Sequence, residues 1–127
     1  MIKNGTKISL LSWKFSNKLN SHNVVAPITT NRHEVSGYVD YKYGLRPETT
    51  WEVILPDGSN VWYEDVEVML RHVSTGIYLT VTDKTYPNDW GEGLVEVVGS
   101  TSKKDLSRSR WRVAMSRPPT GGNSMMV

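Results

Sequence analysis

The sequence predicts an all-β protein built from two copies of one four-strand unit. The first observation behind this is an internal repeat. Ile8, Leu10 and Leu19 return sixty residues on as Val68, Leu70 and Leu79, and Trp51-Glu52-Val53 returns as Trp111-Arg112-Val113. Between them, Glu34-Val35-Ser36-Gly37 returns as Glu96-Val97-Val98-Gly99 at an offset of sixty-two, so an insertion and a deletion fall inside the unit. The second observation is that strand-like patterns are short and punctuated by turn residues. The third is that no long stretch keeps a helical 3.6-residue period. A repeat of about 50 to 60 residues carrying about four strands points to a β-trefoil or a propeller-like array.

Taken in chain order, residues 6–12 (Thr-Lys-Ile-Ser-Leu-Leu-Ser) alternate apolar and polar, as do residues 66–70 (Val-Glu-Val-Met-Leu), the pattern of a half-buried strand. Residues 77–82 (Ile-Tyr-Leu-Thr-Val-Thr) are β-branched and aromatic, which suits a pleated surface. Further strands are expected around Val35, Trp51 to Leu55, Val61 to Tyr63, Val95 to Val98 and Trp111 to Ala114. Asn4-Gly5, Asp57-Gly58, Ser74-Thr75-Gly76 and Pro87-Asn88-Asp89 read as turns between them. Lys103 to Ser109 has room for one helical turn.

Within the repeat, Leu10, Leu70, Leu19 and Leu79 fall on the inward side of a hairpin and are expected in the core. Gly76 suits the hairpin turn because glycine tolerates positive φ, and Asn17 stands ready for the same task in the first copy. Gly37 and Gly99 are expected at a close approach to a neighbour. Trp51 and Trp111, just before each unit closes, are expected to plug the barrel floor.

The chain has 127 residues, enough for one domain. Repeat one is expected over 4–56 and repeat two over 62–116, making a module over 1–116. Residues 117–127, with two prolines and two glycines and no pattern, read as a disordered tail. The net charge of +2 with both signs mixed gives no electrostatic reason to expect nucleic acid or an anionic membrane. The basic run from Lys103 to Arg117 lacks interleaved aromatics apart from Trp111 and reads as a solvated face. No run reaches the ~18 to 20 apolar residues that a membrane helix needs, and Met1 to Gly5 carries no signal-peptide pattern. The absence of cysteine rules out disulfides and thiolate metal sites and leaves the compartment open.

Leu70-Arg71-His72-Val73-Ser74-Thr75-Gly76-Ile77-Tyr78-Leu79 resembles the opening hairpin of a MIR repeat. That motif is shared by protein O-mannosyltransferases, inositol trisphosphate and ryanodine receptors, and the stromal cell-derived factor family of the endoplasmic reticulum. Leu19-Asn20-Ser21-His22 is similar to the family's Leu-His-Ser-His, with Asn20 in place of the first His. Arg32-His33-Glu34-Val35-Ser36-Gly37 stands where Gln-Gln-Glu-Val-x-Gly is usual, and Pro87-Asn88-Asp89-Trp90-Gly91 resembles the last repeat of the mannosyltransferases. The resemblance covers residues 4 to 114 and is strongest to the second and third repeats of a three-repeat domain. It implies a β-trefoil of which two of three repeats are visible. A trefoil barrel closes with three, so the chain either lacks a repeat, borrows one by dimerisation, or folds marginally.

The resemblance also implies a non-catalytic module that recognises a glycan, glycopeptide or extended peptide, within an O-mannosylation or endoplasmic reticulum quality-control protein. The ligand-like residues are His22, in the Leu-x-Ser-His segment, and Tyr86, Asn88, Asp89 and Trp90. Carboxylates and amides bond sugar hydroxyls while an aromatic face packs on the apolar side of the ring. A turn Asp89 beside a barrel-capping Trp90 is the structural alternative. His22, His33 and His72 lack metal-ligand spacing, with His72 expected to be a satisfied structural histidine, and no cofactor is expected. No nucleophile elbow, phosphate loop or dinucleotide fingerprint occurs. The other reading is a protein–protein packing unit without a small ligand, as the calcium-release receptors suggest. Asn4-Gly5-Thr6 matches a glycosylation acceptor.

Overall fold

The computed structural model describes residues 1–12, 14–39, 46–56 and 59–113. The proposed tail at 117–127, the Asp57-Gly58 turn and the end of the last strand at Ala114 lie outside the described residues. Seven strands form one antiparallel sheet: β1 (Lys7–Ile8), β2 (Lys18–Val25), β3 (His33–Tyr38), β4 (Trp51–Ile54), β5 (Met69–His72), β6 (Tyr78–Thr85) and β7 (Val95–Ser100). Their order is β1-β4-β5-β6-β7-β3-β2. A bridge between Leu11 and Lys18 joins the two ends of that order, so the sheet curls back on itself.

The repeat seen in the letters is a repeat of hydrogen bonding. Leu19 faces Gly37 and Leu79 faces Gly99; Ser21 faces Val35 and Val81 faces Val97. Both hairpins then slip register at the same place, before Val25↔His33 in one and Thr85↔Val95 in the other. Ile8 pairs with Trp51, and Val68 with Trp111. The indole N–H of Trp51 donates to the Leu19 carbonyl at 3.0 Å, and that of Trp111 to the Leu79 carbonyl at 2.8 Å. Each tryptophan therefore locks the closing strand of its unit to the hairpin of the same unit.

The two units join through β4 and β5, where Trp51, Glu52, Val53 and Ile54 pair with His72, Arg71, Leu70 and Met69. The core lies at this junction: Trp51, Val53, Leu55, Val68, Leu70, Ile77 and Leu79 are buried. Leu70 and Leu79 meet the expectation of core residues, but their counterparts Leu10 and Leu19 are only half-buried against the cluster. The reason is position. Leu10 and Ile8, with Ile2, Trp62 and Val113, line an apolar groove of about 470 Å³ on the outer side of β1. Trp51 is fully buried as expected, while Trp111 is half-buried.

Three local expectations need correction. The left-handed residue of the first hairpin turn is Ser16 (φ 53°), the counterpart of Gly76 (φ 77°), and not Asn17. Asn17 instead lies over Gly37, where a Cβ would come within 2.5 Å of its amide nitrogen, much as Ile77 lies over Gly99 at 2.2 Å. Both glycines are thus crossed closely by a side chain, which is the close approach expected there. The Val61 to Tyr63 strand reduces to a bridge from Val61 to Lys3. Lys103–Arg108 forms a 3-10 helix of six residues, longer than the expected turn, because Ser102 caps it by accepting from the Lys104 N–H and Asp105 is held at its centre by Ser100 and Arg32.

Candidate functional site

The connection between β6 and β7 carries four of the five candidate residues. It is closed at its base by the Tyr86 N–H bonded to the Leu94 carbonyl at 2.8 Å, just as the Ala26 N–H bonds to the Arg32 carbonyl at 2.8 Å in the first repeat. Between these points runs a short helix, α1 (Asn88–Gly91), which Pro87 introduces. Its end is set by two left-handed residues, Glu92 (φ 55°) and Gly93 (φ 69°). The loop is tight: a Cβ on Gly91 would lie 2.0 Å from the Tyr86 Cβ.

That closeness sets the rings of Tyr86 and Trp90 against each other, with centroids 5.2 Å apart and planes tilted by 54°. Trp90 is 59% exposed, so it does not cap the barrel; it presents an indole face to solvent with Asn88 and Asp89 on the same turn. Burial, followed by the charges of Glu96 and Glu34, pushes the Tyr86 phenol above its usual value. Tyr86 therefore stays neutral and a hydrogen-bond donor at physiological pH.

His22 sits on β2 with Nε2 3.5 Å from Glu34 Oε1, its side chain 44% exposed. Glu34, on β3, is thus the charged neighbour of His22. Neither His22 nor Trp90 lines the cavity beside Arg32 and Asp105 or the groove beside Trp62. The arrangement offers an aromatic face flanked by acceptors. Among the described residues there is no cluster of three metal-ligating side chains.

His72 is the structural histidine expected. It is fully buried, and its Nε2 lies 2.8 Å from the Glu48 carbonyl, which can only accept. Nε2 therefore carries the proton and Nδ1 accepts from the Thr75 hydroxyl at 2.7 Å. The ring packs on Trp51 with centroids 4.8 Å apart.

Sequence reasoning missed the polar staple between the repeats. Glu96, fully buried, accepts from the Ile28 N–H at 3.1 Å, the Thr29 N–H at 3.2 Å and the Thr29 hydroxyl at 2.5 Å. Nearby, Arg32 Nε meets Asp105 Oδ2 at 2.7 Å, and Ser100 donates to the same oxygen at 2.5 Å. Glu34 and Glu96 are the same position in the two repeats, yet only Glu96 is internal. The signal was present in the paired Glu-Val-x-Gly motifs, but nothing local says which of two like carboxylates finds a loop to hold.

No family model matches the chain. Protein O-mannosyl-transferase 1 of Danio rerio is 31% identical over 117 residues, spanning 88% of this chain and 16% of its own length. The crystal structure of the SDF2-like protein from Arabidopsis thaliana superposes with a TM-score of 0.76 at 31% identity, over 87% of this chain and 59% of that one. The S. cerevisiae protein O-mannosyltransferase Pmt1-Pmt2 complex bound to the sugar donor shares the fold, with a TM-score of 0.74 at 24% identity over 87% of this chain and 16% of that one. The chain thus spans a small part of the mannosyltransferases it matches. It is a MIR-type β-trefoil module, similar over most of its length to the MIR region of protein O-mannosyltransferases and to SDF2-like proteins.

Proposed function

We propose that the module is a recognition unit acting in protein O-mannosylation or endoplasmic reticulum quality control, and that it binds a glycan, glycopeptide or extended peptide without being an enzyme. The observation that carries this reading is the solvent-facing Trp90, set against Tyr86 and flanked by Asn88 and Asp89. A pyranose laid on the indole would bury its apolar face there, and its hydroxyls would meet the Asp89 carboxylate and Asn88 amide. His22, beside Glu34 on the neighbouring strand, is a further polar group that the ligand would meet. The similarity to mannosyltransferases over this region supports that context and, with it, a secretory compartment.

The test is titration calorimetry of mannosyl peptides and oligosaccharides against the wild type and Trp90→Ala. Removing a central aromatic anchor is expected to weaken binding at least tenfold. Unchanged affinity in a folded Trp90→Ala protein would move the site elsewhere.

A second reading, a protein–protein packing unit, is favoured by the apolar groove lined by Ile2, Ile8, Leu10, Trp62 and Val113. In that case Trp62→Ala, and not Trp90→Ala, would abolish the interaction.

A further inference from the structure

Asn4-Gly5-Thr6 is the single Asn-x-Ser/Thr sequence in the 127 residues. The structure holds it in a turn closed by the Thr6 N–H on the Lys3 carbonyl at 3.0 Å, with Gly5 at φ +82°. The turn is pinned to β4 on both sides: the Gly5 N–H donates to the Val53 carbonyl at 2.8 Å and the Val53 N–H to the Thr6 carbonyl at 2.9 Å. Asn4 is exposed. Its Oδ1 accepts from the Leu55 N–H at 2.8 Å. A backbone N–H only donates, so the pinned atom is the oxygen, and among the described residues Nδ2 makes no hydrogen bond.

We propose that Asn4 is an N-glycosylation site, an inference that rests on the secretory reading given above. Nδ2 bonds to the anomeric carbon of a lipid pyrophosphate-linked oligosaccharide. The bond from that carbon to the pyrophosphate oxygen breaks, the lipid pyrophosphate leaves with the electron pair, and one amide proton is released. The substituted amide keeps its carbonyl oxygen, so the contact to Leu55 survives modification. The glycan stands beside Ile2 and Trp62, whose backbones are bonded at 2.8 Å, and keeps that end of the apolar groove in water.

The test expresses the full chain behind an added signal sequence in eukaryotic cells and examines the protein recovered from the medium. The wild type is expected to run slower than Asn4→Asp, which keeps an oxygen for Leu55 but offers no acceptor nitrogen. Treatment with peptide N-glycosidase should bring the two to the same mobility. Asp83→Asn adds a second Asn-x-Thr sequence at exposed residues 83–85 and serves as a chain that must gain one more glycan. A secreted wild type with the mobility of Asn4→Asp overturns the proposal. The compartment is tested separately by locating the protein expressed from its own gene in its own cells: a cytosolic location, with the secreted form of this chain glycosylated, would sink the secretory reading and leave the site standing.

Discussion

Replacing each closing tryptophan by phenylalanine tests whether the two repeats are held by the same bond in different surroundings. Trp51→Phe removes the donor to the Leu19 carbonyl and shrinks a fully buried ring. An unpaired buried carbonyl costs about 1–3 kcal/mol, and the lost ring volume about 1 kcal/mol, so Trp51→Phe should cost roughly 2–4 kcal/mol. Trp111→Phe removes the equivalent bond to Leu79, but Trp111 is half-buried and water can reach part of the vacated space. Its cost should be about 1 kcal/mol. Urea titrations read this directly: with m of about 1.5 kcal/mol/M, the midpoint should fall by about 1.3–2.7 M for Trp51→Phe and by about 0.7 M for Trp111→Phe. Equal shifts, or a larger one for Trp111→Phe, would refute the claim that burial and not the bond alone sets the difference.

Three further outcomes are expected. Gly99→Ala should destabilise by about 1–3 kcal/mol, because the new methyl meets the buried Ile77, whereas Gly37→Ala displaces only the amide end of Asn17 and should cost less; urea midpoints rank the pair. Burial holds the His72 imidazole below its usual value, against the raising influence of the Glu48 carbonyl. Between the ordinary histidine value and that lowered one, the unfolded chain binds the proton and the native one does not. Stability is therefore full above about pH 6.5 and declines as pH falls below it, and a urea midpoint that stays flat from pH 7 to 5 would contradict the assignment. Glu96→Ala should free the Ile28 and Thr29 amides and raise hydrogen exchange at 26–32 while leaving 86–94 unchanged.

The fold was legible in the sequence because a repeat reports itself twice. The two hairpins, the pair Gly37 and Gly99 and the pair Trp51 and Trp111 were each marked by two matching segments, and the register of β2 on β3 recurs in β6 on β7. What was not legible depends on contacts distant in the chain. Residue preference pointed to Asn17 for the left-handed turn position, but Asn17 lies over Gly37 and Ser16 takes the turn. The half-exposure of Leu10 and Ile8 follows from the groove beside them, which no local pattern announces. The aromatic pair at 86 and 90 was visible as composition, but its contact depends on Gly91, whose lack of a Cβ lets the loop close on Tyr86.

The same equivalence bears on why Trp90 is exposed. The 86–94 connection occupies in the second repeat the place of 26–32 in the first, and the same backbone bond closes both. The 26–32 segment is held by a carboxylate of the following repeat, Glu96, and by Arg32 on Asp105. Among the described residues no third repeat follows the second, and the carboxylate equivalent to Glu96, Glu34, pairs with His22 instead. Two demands therefore compete for the loop: packing by a neighbouring repeat-like surface, and presentation of Trp90 to a ligand. They part at Trp90. If the loop serves a ligand, Trp90→Ala should weaken sugar binding, and sugar should quench or shift Trp90 fluorescence while the loop's exchange rates stay as they are. If it serves packing, a protein partner should slow exchange at 86–94 and quench or shift Trp90 fluorescence, and sugar should do neither.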